Sequence, residues 1–200
     1  MTDLFADKAA SWESRPLPQR ISEGVGAALF ARVALRPDQT VLDFGAGTGL
    51  LTGQVAPKVA AVLAVDVSPA MLAQLAAKPE LQGKVETHCQ NLLDTPLGRQ
   101  VDLVVSAMAM HHVEDTGALL RALFAHLRPG GQAALADLDR EAGDFHPPGV
   151  EGVFHHGFDR GELEAQMRAA GFTEVVIETA CEIDKEGRRY PVFLATATRP

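Results

Sequence analysis

Short apolar runs alternate along the chain with longer stretches of helical spacing. The runs are TVLDFGAG, AAVLAVDVS, KVETHCQN, VDLVVSAMAM and QAALADLD, and each of the first four precedes a polar or helical stretch. That alternation predicts an α/β fold whose strands lie parallel, with the intervening segments crossing back over the sheet. Ile21, Val25, Ala28, Leu29 and Val33 fall at helical spacing and predict a helix over 18–34. Ser68-Pro69 reads as an N-cap followed by proline at the first helical position. Leu119, Leu120, Leu123, Phe124 and Leu127 form an apolar helix face that stops at RPGG. Asp159 to Glu162 reads as a capping box for GELEAQMRAA, closed by Gly171. TEVVIETA and RYPVFLATAT, joined by the polar loop CEIDKEGR, predict an antiparallel hairpin on the edge of the sheet. Pro191 suits a strand start or an exposed edge better than a strand centre. There is no fixed-period repeat and no low-complexity tract.

Residues 139–158 show no clear period, and a segment of that length inside a compact domain suggests a functional lid. With 46% hydrophobic and 22% charged residues, the 200-residue chain has the composition of one folded domain. Its net charge of −8, without a Lys/Arg-rich run, argues against a nucleic-acid partner. The two cysteines, Cys89 and Cys181, make neither a C-x-x-C pair nor a zinc spacing, which suggests a reducing cytoplasm and no metal. The opening lacks the basic and apolar regions of a signal peptide, and no apolar run reaches the ~20 residues of a membrane span.

Candidate chemistry concentrates in Val41-Leu42-Asp43-Phe44-Gly45-Ala46-Gly47-Thr48-Gly49, where an apolar strand runs into three alternate glycines and a helical start. Glycine lets the backbone turn tightly and approach a ligand closely, although an ordinary strand–helix turn has the same look. Two carboxylates sharpen the reading. Asp43 stands just before the loop, where it could meet a cationic ligand group. Asp66 ends the second run, where a nucleoside site holds its ribose hydroxyls. The nicotinamide fingerprint G-x-G-x-x-G fails in both registers, since its third glycine would fall on Leu50 or Thr52. A P-loop fails too, because no G-K-[ST] follows.

With these residues the chain resembles the class I S-adenosylmethionine-dependent methyltransferases. VLDFGAGTG resembles the family's first motif and VDVSPAML its second. CQNLLDTPL resembles the adenine segment, while VDLVVSAMAMHHVED and LRPGG resemble the fourth strand and the lead-in to the fifth. The resemblance implies a Rossmann-like, seven-stranded, mostly parallel sheet with an antiparallel C-terminal hairpin strand and helices on both faces. It also implies S-adenosyl-L-methionine as cofactor and S-adenosyl-L-homocysteine as product. Carried over position by position, it places Asp43, Gly45, Gly47, Asp66, Val67, Asn91, Leu92 and Ala107 at the cofactor. The family usually has Asp where Asn91 stands, and an amide oxygen can still accept from the adenine amino group. Leu92 would offer its backbone N–H to the ring, and Ala107 would border the sulfonium.

Methyl transfer can run largely on alignment and desolvation, so no catalytic motif has to be present. The Asn-Pro-Pro-aromatic tetrad of amino-directed DNA methyltransferases is replaced here by Ala107-Met108-Ala109-Met110-His111. Asp137 and Asp139 read as loop carboxylates after the fifth strand. His111-His112 reads as a structural pair at the cofactor mouth, with His111 kept as a catalytic candidate beside His155 and His156 of the lid. Phe145, Phe154 and Phe158 either wall a pocket or anchor the lid, and Trp12 is either a lid contact or a surface anchor. One domain, 1–200, is expected. It would divide into an N-terminal cap (1–36), a cofactor core (37–138), a substrate lid (139–158) and a C-terminal helix and hairpin (159–200). A small-molecule acceptor is expected, with a protein acceptor or a non-catalytic cofactor-binding module as alternatives. The partners implied are the acceptor alone, with no nucleic acid and no membrane, in a cytoplasmic monomer or homodimer.

Overall fold

A computed structural model describes residues 3–200. Strand β1 (Thr40–Phe44) shows how the sheet is built: Val41 and Leu42 are both fully buried, yet they join different apolar clusters. Successive side chains point to opposite faces, so near-continuous apolar runs mean that both faces are covered. The other strands are β2 (Ala61–Asp66), β3 (Val85–Cys89), β4 (Val101–Ala107), β5 (Leu127–Leu138), β6 (Thr173–Lys185) and β7 (Arg188–Thr198). Their order is β3-β2-β1-β4-β5-β7-β6. Only β7 runs antiparallel to its neighbours. This is the Rossmann-like sheet that the resemblance implied.

Helices α1 (Ala6–Ala9), α2 (Pro16–Arg32), α3 (Leu50–Val55) and α4 (Pro69–Ala76) precede the fourth strand, and α5 (Thr116–His126) and α6 (Arg160–Ala169) follow it. One face of the sheet packs Ile21, Val25 and Leu29 of α2 with Leu51, Val55, Leu72 and Leu75. The other packs Leu119, Leu120 and Leu123 of α5 with Leu163 and Met167 of α6. Ser68 caps α4 through the Met71 N–H at 3.1 Å. Asp159 caps α6 through the N–H groups of Gly161 and Glu162. Glu162 does not return that bond; its carboxylate pairs with Arg140.

The hairpin departs from the expected eight-residue loop. β6 and β7 pair until Lys185 meets Arg188, leaving Glu186 and Gly187 as the whole turn. Both have positive φ, 55° and 76°, as a two-residue primed turn requires. Residues that looked polar enough for a loop are outward positions of an exposed edge strand. Pro191 sits where β5 ends, and its carbonyl accepts the Asp139 N–H at 3.0 Å.

Candidate active site

The C-terminal ends of β1, β2 and β4 converge on one edge of the sheet, the usual ligand position in open α/β folds. The chain leaving β1 is tied to β2, since the N–H groups of Gly45 and Ala46 both donate to the Val65 carbonyl. Gly45 (φ 70°) cannot carry a side chain, because a Cβ there would stand 2.2 Å from that of Ala109. At Gly47 (φ 55°) a Cβ would meet no atom within 4 Å. That glycine is needed for its backbone angle and for the open ground beside it.

The Gly47 N–H donates to Asp66 Oδ2 at 2.8 Å, and the Ser68 N–H donates to Oδ1 at 2.8 Å. One carboxylate therefore locks the loop to the end of β2 while each oxygen keeps acceptor capacity. Burial raises the Asp66 pKa against the lowering effect of those N–H groups. Thr48 Oγ1 is buried with no hydrogen-bond partner among the described residues.

Asp43 lies beneath the loop rather than in its mouth. It shares the β1 face of Val41, is 1% exposed and accepts the Thr52 hydroxyl at 2.6 Å. Burial pushes its carboxyl up to about 7, with the Thr52 bond opposing and Asp66 adding repulsion. Asn91 is turned into its own loop. Its Oδ1 accepts the Leu93 N–H at 3.0 Å, and its Nδ2 donates to Asp94. The Leu92 side chain is buried in the core, whereas that of Val67 is 53% exposed. Ala107 ends β4, and Met108 beyond it takes a left-handed φ of 58°. That conformation is unfavourable for a side-chain-bearing residue, and it steers the chain into the turn carrying both histidines.

Asp137 is not a loop carboxylate. It is the penultimate residue of β5 and fully buried, on the face of Leu135. Its Oδ1 lies 2.7 Å from His111 Nδ1 and its Oδ2 accepts the His111 N–H at 3.1 Å. Burial alone would lower the His111 pKa, but the adjacent Asp137 charge and hydrogen bond raise it overall. The same pairing holds Asp137 low against its own burial. Removing His111 would cost about 3–5 kcal/mol, because the Asp137 carboxylate would be left charged and buried. His111 Nε2 in turn lies 3.2 Å from Nε2 of His146. His112 directs Nδ1 to the Gly152 carbonyl at 2.6 Å, and burial brings its pKa down to about 4.

Asp137 and His146 are the residues that sequence reasoning missed. The available signal was an acid at an apolar position of a period-two run. Asp139, the other expected loop carboxylate, holds Arg160 through both of its oxygens at 2.7 Å. His155 Nε2 faces the carbonyls of Val113 and Glu114, fastening the 139–158 segment to the turn after β4. His156 is exposed, 3.5 Å from Glu141. Phe145 and Phe158 are buried and anchor the segment, while Phe154 stays exposed. At the other rim, Phe5 packs edge-on against Trp12 and His112 at ring distances of 6.2 and 5.3 Å. Asp3 accepts the Ser68 hydroxyl at 2.9 Å, so the N-terminal segment lies across the mouth; Met1 and Thr2 of the expected cap fall outside the described residues.

The methyltransferase-domain family model matches residues 41–131. That stretch holds the glycine loop, Asp66, Asn91, Ala107 and His111. The chain belongs to the class I S-adenosylmethionine-dependent methyltransferases. The ubiquinone biosynthesis O-methyltransferase of Xanthomonas campestris pv. campestris is 32% identical to this chain over 151 residues, 72% of this chain and 62% of the relative. The magnesium-protoporphyrin O-methyltransferase of Rhodobacter capsulatus is 35% identical over 113 residues, covering 52% of this chain and 50% of the relative. This chain thus spans only half to three-fifths of these relatives' length. Among solved structures, the N-methyltransferase NodS from Bradyrhizobium japonicum WM9, in complex with S-adenosyl-L-homocysteine, superposes with a TM-score of 0.74. It is 17% identical, with 99% of this chain and 95% of that chain covered, so the likeness is one of fold.

S-adenosylmethionine is the cofactor of this family, and the site fits it. The unpartnered Thr48 hydroxyl, the open ground at Gly47 and the spare acceptor capacity of Asp66 suit a polar nucleoside carrying a cationic group. Among the described residues no helix is long and apolar enough to cross a membrane.

Proposed function

We propose that this methyltransferase moves a methyl group from S-adenosyl-L-methionine to a small-molecule acceptor. The observation that carries the reading is the loop itself, with Gly47 held on Asp66 beside an unpartnered buried Thr48 hydroxyl. When bound, the cofactor supplies a methyl carbon already activated by positive sulfur. Asp66 would take the ribose hydroxyls, aided by Val67, while Gly45 and Gly47 let the backbone pass beneath the ligand. Asn91 and Leu92 would border the adenine, and Ala107 the sulfur. Residues 37–138 form the cofactor part, and the 139–158 segment and the N-terminal cap exclude water above it. The O-methyltransferase names of the two relatives favour a small acceptor. Monomer and homodimer are both compatible with this reading, as is a cytoplasmic setting.

The test is release of S-adenosyl-L-homocysteine in a coupled assay over a metabolite panel. Release with a small molecule supports the proposal. Release only with protein substrates would make the enzyme a protein methyltransferase. Cofactor binding without release from any acceptor would make it a binding module.

A further inference from the structure

The β6–β7 hairpin outruns the sheet. β5 pairs with β7 as far as Leu138 and Val192, while β6 and β7 stay paired out to Lys185 and Arg188. The projecting tip grips the 139–158 segment. Tyr190 donates its hydroxyl to Asp144 Oδ1 at 2.9 Å, Arg188 pairs with Asp144 Oδ2, and Phe145 packs edge-on to Tyr190 at 5.2 Å. Between tip and segment lies a cavity of about 300 Å³. Asp144, His146, Pro147 and Pro148 wall it from the segment, and Lys185 and Glu186 from the tip. The glycine loop and the ends of β2 and β4 contribute nothing to its lining. Its volume is at the lower end of small-molecule sites.

The charges in this cavity do not balance. Both Asp144 oxygens are engaged. The half-buried Lys185 ammonium donates to the Phe145 carbonyl and lies 5.3 Å from the Phe145 ring centre, but no carboxylate pairs with it among the described residues. An ammonium carries three N–H donors, so one carbonyl leaves it unsatisfied. His146 is half-buried too, with Nε2 at 3.2 Å from His111 Nε2 and no partner for Nδ1 among the described residues. Burial, the two neighbouring histidines and Lys185 together bring its pKa down to about 4, so the ring is neutral. Its tautomer is set from behind. Asp137 favours the protonated form of His111, whose Nε2–H then donates to His146 Nε2 and leaves the His146 proton on Nδ1. Glu186, the remaining charged residue of the lining, is exposed and screened by solvent.

We propose that this cavity is a second ligand site, separate from the cofactor mouth, which takes a small carboxylate with an apolar body. Lys185 Nζ and His146 Nδ1–H would share the carboxylate in charge-assisted bonds, and Pro147 and Pro148 would face the apolar part. A dianion such as phosphate suits the cavity less well, because one ammonium serves it while Asp144 and Glu186 repel a second negative charge. Bound there, the carboxylate ties the hairpin tip to the segment that packs on the turn after β4. The site does not depend on methyl transfer.

The probe is benzoate, titrated in a calorimeter into the protein with and without saturating S-adenosylhomocysteine. One-to-one uptake of equal affinity is expected in both. Lys185→Gln should weaken benzoate about tenfold, and His146→Phe about fivefold, with the affinity for S-adenosylhomocysteine unchanged. Glu186→Gln should tighten benzoate about twofold by removing a like charge, a gain that damage to the fold could not give. Benzylamine and inorganic phosphate should bind at least about tenfold more weakly than benzoate. No uptake of benzoate by the wild type, or uptake that Lys185→Gln leaves intact, would overturn the site. Competition between benzoate and S-adenosylhomocysteine would place the carboxylate in the cofactor mouth and overturn it equally. Phosphate bound as tightly as benzoate would overturn the ligand class. Benzoate uptake by a protein that takes up no S-adenosylhomocysteine would uphold this site and remove the methyl-transfer reading alone.

Discussion

Replacing Asp43 with asparagine should stabilise this protein, and by an amount that grows with pH. The carboxyl lies under the glycine loop, 1% exposed, with the Thr52 hydroxyl at 2.6 Å. Burial raises it from its ordinary value of 3.8 to about 7. A group raised in the fold contributes its stability fully below the unfolded value and loses it as pH climbs through the folded one. The total loss here is about 4 kcal/mol, complete above about pH 7. An asparagine oxygen can still accept from Thr52, and the amide never ionises. Its own packing and hydrogen-bonding difference is a constant that cancels between two pH values. Urea unfolding of wild type and Asp43→Asn at about pH 5 and about pH 8 should therefore show the variant's advantage rising by about 3 kcal/mol. A stability difference independent of pH would refute the reasoning, since it would mean that Asp43 ionises inside the fold as easily as outside it.

Asp66→Ala should weaken cofactor binding by about two to four orders of magnitude, because two charge-assisted bonds of about 1.5–3 kcal/mol each are lost; calorimetry with S-adenosylhomocysteine reads it, and an unchanged Kd would place the ribose elsewhere. His112 is neutral in the fold, with a pKa of about 4 against an ordinary 6.5. Stability should thus fall by about 3 kcal/mol as pH drops between those values. His112→Asn, whose amide can donate to the Gly152 carbonyl in place of Nδ1–H, should flatten that slope in thermal unfolding. An unaltered slope would assign it to other groups.

The loop, the parallel order and the place of Asp66 at the end of β2 were legible because each depends on residues close in sequence: an apolar run, a glycine spacing, a carboxylate at a strand end. Asp43 was legible as a motif residue but not in its direction. Its inward aim follows from period-two counting from Val41, which places it under Thr52 instead of toward a ligand. Asp137 was misjudged for the opposite reason. Its partner His111 lies 26 residues upstream in the turn beyond β4, and only the β4–β5 pairing brings them together. The hairpin turn was overestimated because an edge strand exposes alternate polar side chains and so resembles a loop. His155 and His156 stood out as an adjacent pair, yet their segment turns one ring to the carbonyls of Val113 and Glu114 and the other to solvent. No local pattern marked His146 as the histidine that meets His111.

The most direct test of the central claim is calorimetric titration of the wild-type protein with S-adenosyl-L-homocysteine and, in parallel, with NADH. The geometry of Gly45, Gly47 and Asp66, together with the missing third glycine at Leu50 and Thr52, calls for one-to-one uptake of the former and no comparable uptake of the latter. Tight binding of NADH with no heat from S-adenosyl-L-homocysteine would contradict it.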